Sequence, residues 1–184
     1  MKSEIRLLSL KCAKCAQPLP ADMNTLVLYC SGCGSGYEVG KDQPAPVPVY
    51  FARYNKESST YRSFWAFNAT LNDAKREAKG GFFKNPKGLM YLFEQRQGLR
   101  FYVSAERIDI GSEDPADLDL TMKQPDLEFL PYEKALPPVQ ISQEDARQIA
   151  DYLLVTSEAK QGDTLRNLQY ELVLKDPMLI AITI

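Results

Sequence analysis

The residues most suited to chemistry are four cysteines, arranged as two Cys-x-x-Cys pairs near the N-terminus. Cys12 with Cys15 and Cys30 with Cys33 are the only cysteines of the 184-residue chain, and fourteen residues separate the two pairs. Each short pair can bring two thiolates to one metal ion, and two pairs supply the four soft ligands of a closed tetrahedral Zn²⁺ site. The spacing therefore predicts a structural zinc site, because no coordination position stays open for water or substrate.

Two other uses of the cysteines stay open. Structural disulfides would need an oxidising compartment, and the N-terminal segment MKSEIRLLSLKC lacks the continuous apolar core and small-residue cleavage site of a secretory signal peptide. An iron centre of the rubredoxin type uses similar pairs, and Gly34 after the last cysteine suits the close backbone approach of such sites. Ala16 follows the first pair and few aromatic residues lie between the pairs, which favours zinc over iron. We therefore predict a zinc-binding protein located in the cytoplasm.

The rest of the composition argues against an enzyme. The chain contains no histidine, so it lacks the usual general base near neutral pH, and its four cysteines are all assigned to the metal. We therefore predict a non-catalytic protein with no small-molecule substrate. No apolar stretch approaches the 18 to 20 residues, roughly, that span a bilayer, so no membrane span is predicted.

Charge is unevenly distributed along the chain. Residues 1–100 hold 15 Lys and Arg against 8 Asp and Glu, whereas residues 101–184 hold 7 against 16, for a net charge of −2. The two halves can attract each other within one fold, or the basic half can face an acidic partner. The first explanation is the simpler one.

The N-terminal part of the chain is predicted to be a small β module. Residues 1–40 are expected to form a zinc ribbon with short strands at residues 5–11, 25–29 and 37–39. Alternating prolines in residues 41–47 predict an extended, semi-rigid linker. About forty residues bury too little apolar surface to be stable alone, so metal binding should supply the missing folding free energy.

Residues 48–184 are predicted to form an α+β domain with mostly antiparallel strands and one main helix. Its strands are expected to pair as three hairpins, made by residues 49–54 with 61–71, 89–95 with 99–107, and 167–174 with 178–184. The last strand is apolar throughout and is expected to be buried on both faces.

Helices are predicted at two places in this domain. The main helix begins at Ser142, whose side chain can accept from the amide of Asp145, and its apolar residues recur every three or four positions until it ends before Gly162. A shorter helix of one or two turns is expected at residues 72–79. The proline-rich, acidic segment between the second hairpin and the main helix is expected to wrap over the surface, with extended pieces at residues 118–122 and 127–130.

Two groups of exposed residues are candidates for partner contacts. Lys11, Lys14 and Leu19 are expected to project near the first cysteine pair, where a metal-pinned loop can bind a protein with little ordering cost. Lys75, Arg76 and Lys79 form a basic cluster that suits phosphates or an acidic protein surface.

An aromatic strip has two possible roles. Its residues could stack on the bases of a single-stranded nucleic acid, with Arg53, Arg62 and Arg100 interleaved, or they could pack in the core. The two-residue period of a strand places Phe64 on one face and Trp65 and Phe67 on the other, which favours core packing for at least one set. The strip comprises Tyr61, Phe64, Trp65, Phe67, Phe101 and Tyr102.

The aromatic strip also carries a resemblance to known proteins. The chain resembles bacterial zinc-ribbon proteins of poorly defined function, in which aromatic strands written Pro-Phe-Trp and Tyr-Val-Pro follow the ribbon. Here the corresponding residues are Ser63-Phe64-Trp65 and Tyr102-Val103-Ser104, without the prolines. The resemblance implies a scaffold or adaptor role and supplies no catalytic residues. We predict a zinc-ribbon adaptor that binds a protein partner, with nucleic-acid binding as the alternative.

Overall fold

In the computed structural model the chain is mostly β. The structure describes residues 10–21, 24–40, 43–80, 88–106, 115–133 and 135–184. Its strands are β1 Val27–Tyr29, β2 Gly36–Glu38, β3 Ala45–Val47, β4 Val49–Arg53, β5 Tyr61–Lys79, β6 Leu99–Ser104, β7 Glu128–Leu130 and β8 Thr164–Thr183. Its helices are α1 Leu89–Gln95, α2 Pro115–Lys123 and α3 Gln143–Ala159. In this part of the chain, no helix is long and apolar enough to cross a membrane.

A small antiparallel sheet lies next to the cysteines. Its strand order is β1-β2-β3, so residues 45–47 of the proline-rich segment form its third strand. Pro46 pairs with Tyr37 on the edge strand β3. Proline has no backbone N–H, and an edge strand tolerates it because one side of the strand has no neighbouring strand to accept a hydrogen bond. Strands were predicted at residues 25–29 and 37–39, and β1 and β2 lie there within about two residues. Most of the strand predicted at residues 5–11 lies outside the described residues.

A larger mixed sheet has the strand order β6-β5-β8-β4-β7. The predicted hairpin of residues 49–54 with 61–71 is wrong, because β8 lies between β4 and β5 and pairs parallel with β4. Residues 179–183 of β8 are buried, and a strand that is apolar on both faces belongs at the centre of a sheet. The expectation of two-sided burial for this strand is confirmed.

β5 and β8 form one long antiparallel pair that is interrupted by bulges. The helix predicted at residues 72–79 is wrong, because this segment continues β5. The hairpin predicted within residues 167–184 is also wrong, because Asp176 and Pro177 form a bulge opposite Phe67 rather than a turn. A second bulge contains Asp73, and Asp73 and Asp176 have positive φ angles of 49° and 48°. Aspartate tolerates this left-handed conformation better than most residues. An aspartate at such a position can therefore form part of a turn or of a bulge, and the residue type alone does not distinguish the two.

Of the three helices, α3 was predicted from the sequence and α1 and α2 were not. α3 begins after Ser142, whose hydroxyl accepts from the backbone N–H of Asp145 as expected. α1 replaces the strand predicted at residues 89–95, so the hairpin with residues 99–107 does not form. α2 covers residues 118–122, which were predicted to be extended. A short apolar run fits a buried strand and a buried helix equally well, and tertiary contacts decide between them.

The aromatic strip packs inside the protein on both faces of the large sheet. Trp65, Phe67 and Phe101 lie in a core with α3, whereas Phe64 and Tyr102 lie on the opposite face with Leu120 of α2. The indole N–H of Trp65 donates to the carbonyl of Ile141 at 2.8 Å. These five aromatic rings are therefore not available for stacking on bases. Tyr61 is half-buried and packs edge-on against Phe51, with ring centroids 5.5 Å apart.

The small sheet packs directly against the large one. The Tyr29 ring lies 5.9 Å from that of Phe51, and its hydroxyl donates to the carbonyl of Glu133 at 2.6 Å. The backbone N–H of Leu26 donates to the carbonyl of Val139 at 2.7 Å. Val27 and Val47 join the core that contains α3. The cysteine-bearing segment is thus fixed to the large sheet through side chains and backbone.

Candidate metal centre

The four cysteines converge on one point. Their sulfur atoms all lie within 4.8 Å of one another, and the shortest distances are 3.4 Å between Cys15 and Cys30 and 3.5 Å between Cys12 and Cys33. A disulfide bond requires about 2.05 Å, so none of the cysteines is paired in this way. A tetrahedral zinc site with metal–sulfur distances of about 2.3 Å places its sulfurs about 3.8 Å apart. The donor set and its spacing therefore fit a metal ion.

The two cysteine pairs form equivalent turns, which we call the first knuckle (residues 12–15) and the second knuckle (residues 30–33). The backbone N–H of Ala16 donates to the carbonyl of Cys12 at 2.8 Å, and that of Gly34 donates to the carbonyl of Cys30 at 2.8 Å. Ala16 and Gly34 both have left-handed backbones, with φ of 61° and 72°. Each knuckle therefore presents its two sulfurs in the same way.

Local structure on either side holds the knuckles in place. The second knuckle continues the β1–β2 hairpin, because the N–H of Cys30 donates to the carbonyl of Ser35 at 2.9 Å. The first knuckle is closed by a 2.8 Å hydrogen bond from the N–H of Cys12 to the carbonyl of Gln17. Leu19 and Leu28 pack with Cys12 and Cys30 into a small apolar cluster beneath the sulfurs.

Two hydroxyl groups contact the sulfurs. The Tyr37 hydroxyl lies 3.4 Å from the Cys12 sulfur and accepts from the backbone N–H of Ala13 at 3.1 Å. The Ser35 hydroxyl lies 3.3 Å from the sulfur of Cys33. A deprotonated sulfur can only accept, so both hydroxyls donate to it once a metal has displaced the thiol protons.

The surroundings of the sulfurs shift the pKa values of Cys12, Cys15 and Cys33 in opposite directions. The Tyr37 hydroxyl lowers the pKa of Cys12 to about 6, and the Ser35 hydroxyl lowers the pKa of Cys33 below its usual value. A backbone hydrogen bond from Gln17 acts to lower the pKa of Cys15, but the neighbouring thiols, that of Cys30 foremost, and partial desolvation within the cluster outweigh it and raise this pKa to about 12. Four thiols this close cannot all ionise without a compensating cation, and a divalent metal ion supplies that charge.

The structure separates the predicted partner residues into different environments. Lys11 and Lys14 are exposed beside the first knuckle, as expected. The expectation for Leu19 is wrong, because its side chain is buried at 7% exposure beneath the sulfurs.

The predicted basic cluster lies on β5, and only part of it is exposed. Lys75 and Lys79 are exposed. Arg76 is committed to ion pairs with Glu158 and Asp163, at 3.0 and 2.5 Å. The expectation that Arg76 contacts phosphates or an acidic protein surface is therefore wrong, because its guanidinium is held in these ion pairs.

Sequence reasoning missed the residues that surround the sulfurs. Tyr37 and Ser35 were not singled out, although both lie in or next to the short strand that follows the second knuckle. Tyr132 comes from the segment after β7, and its hydroxyl donates to the carbonyl of Gly32 at 3.0 Å. Its ring lies against Gly34, where an added Cβ would come within 2.8 Å of the Tyr132 Cβ. Nothing local in the sequence connects Tyr132 with a knuckle 100 residues earlier.

Comparison with known proteins adds no assignment to this geometry. No protein-family model, curated protein or solved structure matches the chain. The resemblance to zinc-ribbon proteins therefore remains a hypothesis based on short motifs. The functional interpretation rests on the cysteine cluster and on the surfaces around it.

Proposed function

We propose that the cysteine cluster binds one Zn²⁺ ion as the structural centre of a zinc ribbon. The observation that carries this proposal is the convergence of four sulfurs within 4.8 Å from two equivalent knuckles. Zinc accepts four thiolates in tetrahedral geometry, and its filled d shell imposes no other coordination geometry. Four protein sulfurs complete its coordination, so the ion stabilises the fold and does not activate water.

The metal would hold together a segment with little core of its own. Beneath the sulfurs, the buried members of the apolar cluster are two leucines and two of the cysteines themselves. The ion replaces the missing apolar contacts, and binding free energy becomes folding free energy. Because Tyr132 and Glu133 contact the second knuckle and β1, the ion also anchors the chain after β7.

We further propose that the protein is a non-catalytic adaptor that binds a protein partner. A groove of about 410 Å³ lies between β1 and residues 135–140, and Tyr29 is the only ionisable side chain among its described lining residues. A groove of this composition offers contacts rather than acid–base chemistry. Free thiolates persist in a reducing compartment, which is the basis for proposing a cytoplasmic location.

The first knuckle is the contact surface that we favour. Lys11 and Lys14 are exposed there, on a turn whose ends are fixed by hydrogen bonds and whose cysteines would be fixed by the metal. A rigid loop loses little conformational entropy when it binds, so two lysines can contribute to affinity for an acidic partner. Nucleic-acid binding is less well supported, because five of the six rings of the aromatic strip are buried and cannot stack on bases together with Lys75 and Lys79.

Metal analysis tests the first part of the proposal. Protein purified without added metal should contain one zinc ion per chain and be colourless, whereas a four-thiolate iron centre would absorb visible light. Cys12→Ser and Cys30→Ser variants should each lose the ion. A purified wild-type chain that takes up no metal under reducing conditions, with folded β structure intact, would show that the cysteines serve another purpose.

A matched pair of charge reversals tests the adaptor role. Lys11→Glu/Lys14→Glu should abolish capture of a partner from extract, and Lys75→Glu/Lys79→Glu should leave it unchanged. Wild-type protein should not bind single-stranded or duplex oligonucleotides at low salt. Salt-sensitive oligonucleotide binding that only the Lys75→Glu/Lys79→Glu variant loses would establish the nucleic-acid alternative instead.

A further inference from the structure

The four sulfurs of the centre are not equivalent in exposure. Cys12 and Cys30 are buried, with 2% and 1% of their surface exposed, and Cys33 is half-buried. Cys15 is the one cysteine of the four that is exposed to solvent. An electrophile in solution therefore reaches the Cys15 sulfur most easily.

The hydrogen bonds to the sulfurs are unequal as well. Cys12 is bonded by the Tyr37 hydroxyl and by backbone amides of its own knuckle, and Cys33 is bonded by the hydroxyl and backbone N–H of Ser35. Cys15 has a backbone hydrogen bond from Gln17 and no hydroxyl within hydrogen-bond distance among the described residues. The side-chain Oε1 of Gln17 lies 4.0 Å from the Cys15 sulfur and 3.9 Å from that of Cys30, at the outer limit of a hydrogen bond from a thiol, and this oxygen cannot donate to a thiolate.

We propose that Cys15 is the reactive sulfur of the metal-loaded centre, the site at which soft carbon electrophiles modify it. This inference rests on the proposed zinc site. A metal-bound thiolate keeps its nucleophilic lone pairs, and hydrogen bonds that donate to sulfur withdraw charge from it. Cys12 and Cys33 are shielded by hydroxyl donors, and Cys30 by burial. Cys15 is exposed, and none of the residues that the structure describes places a hydroxyl donor on its sulfur.

The reaction with iodoacetamide illustrates the step. The Cys15 sulfur attacks the methylene carbon, a carbon–sulfur bond forms, and the carbon–iodine bond breaks as iodide leaves with the bonding electrons. The thiolate becomes a neutral thioether, which is a much weaker zinc ligand. The centre then retains three strong ligands and opens at Cys15.

Limited alkylation of the zinc-loaded protein tests the proposal. Zinc content is measured first, and the full chain is then treated with less than one equivalent of iodoacetamide. The product is unfolded and labelled with an isotopically heavy reagent, and each cysteine is quantified by peptide fragmentation. We expect the Cys15 position to carry at least about ten times the light label of any other cysteine. Equal labelling of the four positions, or greater labelling of Cys33, would overturn the proposal.

A Ser35→Ala variant separates hydrogen bonding from exposure. It removes the hydroxyl donor to Cys33 without touching Cys15, so labelling of Cys33 should rise by about threefold or more while Cys15 stays constant. No rise at Cys33 would show that the hydroxyl does not protect the sulfur. A wild-type chain without zinc would refute the proposed zinc site, whereas a zinc-loaded chain with unselective labelling would refute only the present inference.

Discussion

Arg76 lies at the centre of a partly buried ion network with Glu158 and Asp163. Loss of this network should account for most of the change in stability when Arg76 is replaced. Its guanidinium makes two hydrogen bonds to the Asp163 carboxylate, at 2.5 and 2.7 Å, and its Nε lies 3.0 Å from a carboxylate oxygen of Glu158. The Glu158 side chain is 1% exposed and also accepts from the backbone N–H of Met90, at the start of α1. Arg76→Met would leave this carboxylate buried without its arginine.

The magnitude follows from which charge is left unpaired. Removal of one partner from a fully buried ion pair costs about 3–5 kcal/mol, and the 17% exposure of Arg76 reduces our expectation to about 2–4 kcal/mol. Glu158→Gln should cost less, about 1–3 kcal/mol, because Arg76 keeps both hydrogen bonds to Asp163. The double variant should cost less than the sum of the two single variants, since the residues act on each other directly.

Urea unfolding of the zinc-replete protein measures these differences. Trp65 is the only tryptophan and is fully buried, so its fluorescence reports loss of the core. Lys75→Met is the matched control, because Lys75 is exposed on the same strand and should change the free energy of unfolding by about 0.5 kcal/mol or less. If Arg76→Met costs less than Glu158→Gln, or no more than the control, the buried ion network does not contribute to stability as expected.

Three further predictions concern pH, the metal and the first knuckle. Because Arg76 lowers the pKa of Asp163, this carboxylate should stabilise the fold above about pH 4. Its contribution should be lost as the pH falls through its folded pKa, and the stability of Arg76→Met should lack this dependence on pH. A strong chelator should abolish amide protection in residues 10–40, measured by hydrogen exchange, while α3 stays protected; unchanged protection of residues 10–40 in a metal-free sample would contradict the structural role. Ala16→Gly should relieve the left-handed alanine and raise the free energy of unfolding by about 0.5–1 kcal/mol, and an unchanged urea midpoint would argue against strain there.

The features that could be predicted from sequence depend on residues that are close together in the chain. Each cysteine pair spans one short turn, so its ligand geometry follows from the spacing of two residues and the conformation of the next. The start of α3 is likewise set by Ser142 and the amide three residues later. Burial of Phe64, Trp65 and Phe67 follows from a local density of apolar side chains on one strand.

Predictions failed where the choice between structures depends on distant partners. The α1 segment contains a short apolar run, and Ser157 and Glu158 of α3 supply acceptors for the first amides of the helix. Residues 72–79 have helix-forming composition, but pairing with β8 extends them as a strand. Leu19 was predicted to be exposed on a loop, but it is buried because Leu28 and the cysteines, most of them distant in sequence, pack around it.

Local sequence specifies the four candidate metal ligands, because the chain has only these four thiols and their spacing permits two knuckles. It also determined the capping of the main helix, which needs only neighbouring residues. The order of strands in the large sheet depends on tertiary contacts, because β4 pairs with a segment of β8 that lies more than 100 residues later in the chain. The unequal surroundings of the four sulfurs are a tertiary property too, since exposure and hydroxyl donors arise from the packing of β2 and of the chain after β7 around them.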